Sequence, residues 1–195
     1  MIKRTFDLCS SFMGLIILFP LLIFISLAIK LGSSGPILFS QSRVGKDGKL
    51  FTLVKFRSMT VQQDSSSTAT ARGDVRITKI GAFLRKYKLD ELPELWNVVM
   101  GEMSLVGPRP DVPGYADSLK GTDRNMLKLR PGITGTASLK YANEEEILAA
   151  QEDPQKYNDE VIFPDKVIVN LEYYENQSLW LDIKIIFATI FRTSY

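Results

Sequence analysis

Residues 8–29 read LCSSFMGLIILFPLLIFISLAI, 22 positions without a charge. As a helix they reach about 33 Å, against about 30 Å for the hydrocarbon core of a bilayer. The reading is a membrane segment. It is longer than the apolar run of roughly 7–15 residues in a signal peptide, and no small-x-small cleavage site follows it. Pro20, near the middle, lacks an amide hydrogen and crowds the carbonyl four residues back, so a kink or break is expected there. Lys3 and Arg4 precede the segment, while Lys30, Arg43, Lys46, Lys49, Lys55 and Arg57 follow it. Positive charge on both flanks favours the cytoplasmic side for both ends. Two paths stand open: a kinked helix that crosses, and a re-entrant hairpin bent at Pro20 that satisfies both flanks and keeps most backbone bonds internal. In the hairpin, Ser10 or Ser11 could meet carbonyls freed at the bend.

The rest of the chain is long enough for one folded domain, and 45% hydrophobic with 24% charged residues fits a globular composition. A formal charge of +2 does not imply a polyanion partner, so nucleic acid is not expected. The absence of histidine excludes Ser-His-Asp and Cys-His triads and any zinc site needing imidazole. The single cysteine, Cys9, permits no internal disulfide.

Two apolar runs in ILFSQSRVGKDGKLFTLVKFRSM, residues 37–59, flank Asp47-Gly48 and predict a β-hairpin. Residues 61–73, VQQDSSSTATARG, read as a polar loop. Thr78 is placed to cap a helix whose apolar stripe is Ile80, Phe83, Leu84 and Tyr87. Six basic residues between 72 and 88 suit anionic headgroups or a substrate carrying phosphates.

That basic helix leads into KLDELPELWNVVMGEMSLVGPRP, residues 88–110. A helix is expected from Asp90 to Met100, with Asp90 as its cap, Pro93 in its first turn and Gly101 at its end. Capping alone would account for Asp90 and Glu91. Around them, however, stand Arg85, Arg109 held between Pro108 and Pro110, and Arg130 in RPGITG. Two acids and several arginines without histidine suit phosphoryl transfer from a diphosphate. One carboxylate attacks phosphorus, the other helps to hold Mg²⁺, and arginines neutralise the oxygens. A carboxylate is ionised at neutral pH and needs no general base. The residues do not choose between Asp90 and Glu91 as nucleophile.

The chain resembles the monotopic polyprenyl-phosphate phosphoglycosyl transferases, the bacterial sugar transferase family. The likeness lies in IKRTFDL with the Pro20 segment, GPILFSQSRVGKDGKLFTLVKFRSM, DVRITKIGAFLRKYKLDELPELWNVVMGEMSLVGPRP, LRPGITG and YYENQSLWLDIKI. It implies a re-entrant membrane helix and transfer of a phosphosugar from a UDP-sugar to polyprenyl phosphate. Asp90 then attacks the sugar-bearing phosphorus, expels UMP and forms a covalent intermediate. Glu91 matches a residue of the Mg²⁺ site, Arg85 and Arg109 match contacts to phosphate and nucleotide, and Pro108 and Pro110 complete the element beside the nucleotide. The chain departs from the family at Phe19, where serine commonly precedes the proline, and after RPGITG, so sugar recognition does not carry over.

In the tail, Asn143 is placed to cap a helix from Glu144 to about Gln151, and Pro154 and Pro164 punctuate the stretch after that helix. From Ser178 to about Phe191, Leu179, Ile183, Ile186, Phe187 and Ile190 share one face, which suits either the core or the membrane interface. The expected fold is α+β and mainly helical: a re-entrant helix-turn-helix over 1–34, then a membrane-associated catalytic domain over 35–195 with a small hairpin and interfacial helices. The expected place is the cytoplasmic face of the bacterial inner membrane, in contact with its lipids. The oligomeric state is left open, a homodimer included. A membrane phosphatase or pyrophosphatase using an aspartyl-phosphate, and a non-catalytic scaffold for anionic lipid, are the competing readings.

Overall fold

A computed structural model describes residues 2–60 and 76–191, so the loop expected at 61–73 lies outside the described residues. Helix α1 runs from Ile2 to Gly32 with Pro20 inside it. The turn expected within residues 1–34 is therefore replaced by continuous helix. A proline withholds only its own amide, here from the Ile16 carbonyl, and the helix resumes on either side. Ser11 is fully buried but its Oγ has no partner, so it meets no carbonyl; Ser26 Oγ instead donates to the Leu22 carbonyl at 2.7 Å.

Both ends of α1 are fastened to the same body. At one end, Lys3 Nζ donates to Asp182 Oδ2 at 2.6 Å, Arg4 donates to the carbonyls of Val98 and Val99, and Asp7 accepts from Ser104 Oγ at 2.8 Å. At the other, Arg57 donates to the carbonyls of Ser33 and Ser34. Between them, Phe12, Ile16, Ile17, Phe19 and Phe24 are exposed.

The hairpin forms as expected. Strands β1 (Leu38–Val44) and β2 (Leu50–Phe56) pair antiparallel, and Asp47 and Gly48 take the positive φ angles that a tight reversal needs. Thr78 Oγ1 accepts from Gly81 N at 2.9 Å and caps α2 (Lys79–Lys86). The predicted stripe on α2 is divided: Leu84 is buried with Ile25, Ile29 and Phe56, while Phe83 and Tyr87 are exposed.

Helix α3 (Glu94–Met100) ends at Gly101 in the left-handed region, φ 90°. Its Asn97, 1% exposed, holds it to the hairpin, accepting from Val54 N at 3.1 Å and donating to the Thr52 carbonyl at 2.8 Å. Strands β3 (Ser104–Val106) and β4 (Gly132–Thr134) then pair in parallel.

Helices α4 (Thr136–Lys140), α5 (Glu144–Ala149), α6 (Pro154–Tyr157), α7 (Phe163–Asn176) and α8 (Leu179–Phe191) complete the chain. Asn143 makes no side-chain cap; Asp153 caps α6, accepting from Lys156 N at 3.0 Å. The stripe expected on α8 is divided: Leu179, Ile183 and Ile186 are half-buried, while Phe187 and Ile190 are exposed, as the membrane-interface reading has them. Asp182, Ile185 and Ala188 point inward, while Trp180, Phe187, Ile190 and Phe191 are exposed. Asp182 can be buried because Lys3 and Tyr173 both donate to it, a pairing that a hydrophobic stripe does not register.

A Cβ on Gly81 would lie 1.8 Å from the Ser58 carbonyl oxygen. Alanine normally gains about 1 kcal/mol over glycine within a helix. Gly81→Ala is expected to go the other way and lower the melting temperature of the detergent-solubilised protein, since α2 must move off the backbone at Ser58. An unchanged or higher melting temperature would refute the close packing.

Candidate active site

The chain leaves α2 through Lys88, a non-glycine residue at φ 56° and ψ 26°, and turns at once into a 3-10 turn over Leu89–Glu91. This left-handed residue costs of order 1 kcal/mol and reverses the chain, so the acids do not continue α2. Asp90 is 6% exposed and its Oδ1 has no hydrogen-bond partner. It does not cap α3, whose start falls after Pro93. The expected helix is divided here because the proline supplies no amide to the preceding turn.

Glu91 Oε1 accepts from Arg109 Nη2 at 2.5 Å. Arg109 stands exposed between buried Pro108 and Pro110, and hydrogen bonds hold that element on both sides. Gly107 N donates to the Thr134 carbonyl at 2.9 Å and Gly132 N to the Pro108 carbonyl at 2.8 Å. From the hairpin, Arg43 Nη1 donates to the Pro110 carbonyl at 3.1 Å and Val44 N to the Asp111 carbonyl at 2.9 Å. A Cβ on Gly107 would come within 2.3 Å of the Arg130 carbonyl oxygen, so only glycine lets the two segments approach this closely.

The electrostatics separate the two acids. Burial, and then the neighbouring Glu91 carboxylate, push Asp90 up, while Lys55 and Arg85 oppose them. Burial also raises Glu91, but the Arg109 charge and hydrogen bond outweigh it and hold Glu91 below the usual carboxylate range. Burial pushes Glu94 up to about 8, with Glu91 adding to the shift. Lys55 on β2 and Arg43 on β1 are each lowered by burial and then by Arg109.

The structure therefore brings Asp90, Glu91, Pro108, Arg109 and Pro110 together. Arg85 acts electrostatically on Asp90, while its guanidinium is bonded to Glu145 at the start of α5. Arg130 is elsewhere: its Nε donates to the Gly101 carbonyl at 2.9 Å, beyond the far end of α3, and its role here is to hold that end. Lys55 and Glu94 were not singled out from the sequence. Lys55 was one cation in a flank, and Glu94 was not read at all. The signal for Glu94 was its i+4 spacing from Asp90, which sets both on one side of the turn.

Known proteins resemble the chain along nearly its whole length. The model of the family described as bacterial sugar transferase matches residues 1–194. The chain belongs to that family. An undecaprenyl-phosphate glucose phosphotransferase of Komagataeibacter xylinus is 42% identical over 198 residues, covering 97% of this chain and 35% of the relative. A UDP-glucose:undecaprenyl-phosphate glucose-1-phosphate transferase of Escherichia coli (strain K12) is 38% identical over 197 residues, 98% of this chain and 40% of the relative. The exopolysaccharide production protein PSS of Rhizobium leguminosarum bv. phaseoli is 39% identical over 197 residues, 97% of this chain and 93% of the relative. The chain thus spans well under half of the first two and nearly all of the third. This member of the family keeps its acidic pair and the Pro108-Arg109-Pro110 element in direct contact through the Arg109–Glu91 bond.

Glu94 supplies a pH test. The folded chain holds its proton up to about pH 8, whereas the unfolded chain releases it near 4.5. Unfolding therefore releases a proton across that window, and stability falls as pH rises through it. Glu91, Asp90, Lys55 and Arg109 are the charges that act on it. In EDTA, Glu94→Gln should flatten the fall in melting temperature between pH 5 and pH 8. An identical pH slope in variant and wild type would show that Glu94 is ionised in the fold.

Proposed function

We propose that the protein transfers a phosphosugar from a UDP-sugar to polyprenyl (undecaprenyl) phosphate, releasing UMP, through a covalent intermediate on Asp90. The observation that carries this reading is the buried, unpartnered Asp90 Oδ1 beside a Glu91 neutralised by Arg109. A carboxylate left without donors keeps its nucleophilic lone pairs, and burial keeps competing water away. In the first step a bond forms between an Asp90 carboxylate oxygen and the sugar-bearing phosphorus, and UMP departs with the electron pair of the broken P–O bond. In the second, a phosphate oxygen of the lipid attacks the same phosphorus and Asp90 is released as carboxylate. Arg109 and Lys55 meet the negative charge that collects on the phosphoryl oxygens. Arg85 can join them once an incoming phosphate replaces Glu145 as its partner.

Asp90 and Glu91 are the residues that would hold Mg²⁺. Their fit rests on the free Asp90 oxygen and on the preference of this ion for one or two carboxylates completed by substrate phosphates. Among the described residues no group of three acidic side chains forms an all-protein cage, so the remaining ligands would be phosphate and water. Bound there, the ion would neutralise charge on the diphosphate.

The membrane side of the reading rests on α1. A helix whose two ends are bonded to one domain keeps both ends on one face of a bilayer, which favours a path that does not cross the bilayer over one that does. The exposed Trp180, Phe187, Ile190 and Phe191 of α8 suit the interface of the same leaflet. The bacterial inner membrane, with the domain on its cytoplasmic face, is the setting in which soluble UDP-sugar and lipid phosphate meet.

Incubation of the protein with polyprenyl phosphate, Mg²⁺ and a panel of UDP-sugars should release UMP and yield a lipid-linked diphosphosugar. Free phosphate made without lipid would mark a hydrolase instead. Asp90→Asn should lower UMP release by at least a thousandfold, and intact-mass analysis of the wild type without lipid should show a phosphosugar adduct that the variant lacks. EDTA should stop turnover and added Mg²⁺ restore it; activity indifferent to both would remove the metal. In a Cys9→Ser background, cysteines at Ile2 and Ser34 should react with an impermeant maleimide from the same side of sealed vesicles. Labelling from opposite sides would establish a crossing helix.

A further inference from the structure

Two ion pairs draw the start of α5 toward the acidic turn. Glu144 Oε1 accepts from Lys166 Nζ of α7 at 2.6 Å, and Glu145 Oε1 accepts from Arg85 Nη2 of α2. Glu144 also lines, together with Arg109, the narrow cleft between α4 and α7. The first turn of α5 therefore reaches from α7, alongside Arg109, to α2.

Little else holds this helix. It is six residues long, Asn143 makes no side-chain cap for it, and Leu148 is its one buried residue. A helix of this length is not stable by itself. A segment with so few buried contacts belongs to the part of a fold that opens most easily. Its position depends on the two ion pairs.

The pairs differ in how firmly they hold. Lys166 and Glu144 are 19% and 28% exposed, and Lys166 also lies over the Tyr141 ring, 5.7 Å from its centroid. In the other pair Glu145 is 49% exposed. An ion pair open to water contributes a factor of roughly five at most to an equilibrium, so Arg85 can exchange this partner for a better one.

A diphosphate is that better partner. It carries more than one negative charge and offers the guanidinium fork two oxygens at once. Arg85 is also one of the cations that act on Asp90. While Glu145 holds Arg85, the site has one cation fewer for an incoming donor and one acid more beside Asp90 and Glu91.

We propose that the first turn of α5 is a displaceable strap: Glu145 occupies Arg85 while no donor is bound, and the diphosphate of the donor takes its place and releases α5. This rests on the transferase reading and adds to it that donor binding and the opening of α5 are linked.

The test is hydrogen–deuterium exchange on the full chain in nanodiscs with Mg²⁺, with and without UDP, and with uridine as the probe that lacks phosphates. UDP should raise exchange at residues 144–149 several-fold, although a bound ligand ordinarily lowers exchange around its site; uridine should not raise it. Glu145→Gln should show the raised exchange without UDP. By titration calorimetry the variant should bind UDP roughly twofold to fivefold more tightly, the range an exposed ion pair allows. Exchange that stays level or falls when UDP binds, an equal rise with uridine, or a variant that binds UDP no more tightly overturns the strap and leaves the transferase reading standing. If the wild-type protein does not bind UDP at all, both readings fall.

Discussion

The close contact of Gly107 with the backbone of residues 130–135 is the constraint on which the site depends. A side chain at Gly107, Gly132 or Gly135 would collide with the backbone of the other segment, so both segments are held to glycine where they meet. That contact brings β3 against β4 and buries Pro108 and Pro110, leaving Arg109 as the one residue between them that projects outward. Arg109 can then be rigid without packing of its own. Its guanidinium serves Glu91 on one side and the cleft of α4 and α7 on the other.

Around this arginine the charges are arranged unequally. Glu91 has a cation in hydrogen-bond contact and stays ionised; Glu94, three residues on and buried, has none and keeps its proton until about pH 8. Asp90 lies between these extremes, with cations near it and no donor on Oδ1. Burial pushes Asp90 and Glu94 up, whereas the contact with Arg109 holds Glu91 down, so three carboxyl groups within five residues are shifted unequally.

The membrane helix is part of this architecture. Lys3 bonds buried Asp182, to which Tyr173 also donates, so the beginning of α1, the first turn of α8 and the last turn of α7 share one polar junction. Removing one member would strand a buried charge, which makes the junction more costly to break than an exposed ion pair. It turns α8 so that Trp180 and Phe187 face outward, on a molecule whose α1 is also apolar and exposed.

Much of this was legible in the residues themselves. The apolar run, the Asp47-Gly48 reversal, the Thr78 cap and the Gly101 stop all depend on local chemistry, and each holds in the fold. Asp90, Glu91 and Arg109 could be named because acid pairs and proline-bound arginines are local patterns too. What failed, or was missing, depended on partners distant in the chain. The inward face of α8 was decided by Lys3, nearly 180 residues away, and Arg130 was drawn to Gly101 rather than to the acids. Lys55, Glu94 and the start of α5 acquire their meaning only from what packs beside them. Hydrophobic period and turn chemistry are written along the chain, whereas burial and charge pairing arise between segments, and those pairings distinguish a buried, unpartnered carboxyl from a helix cap.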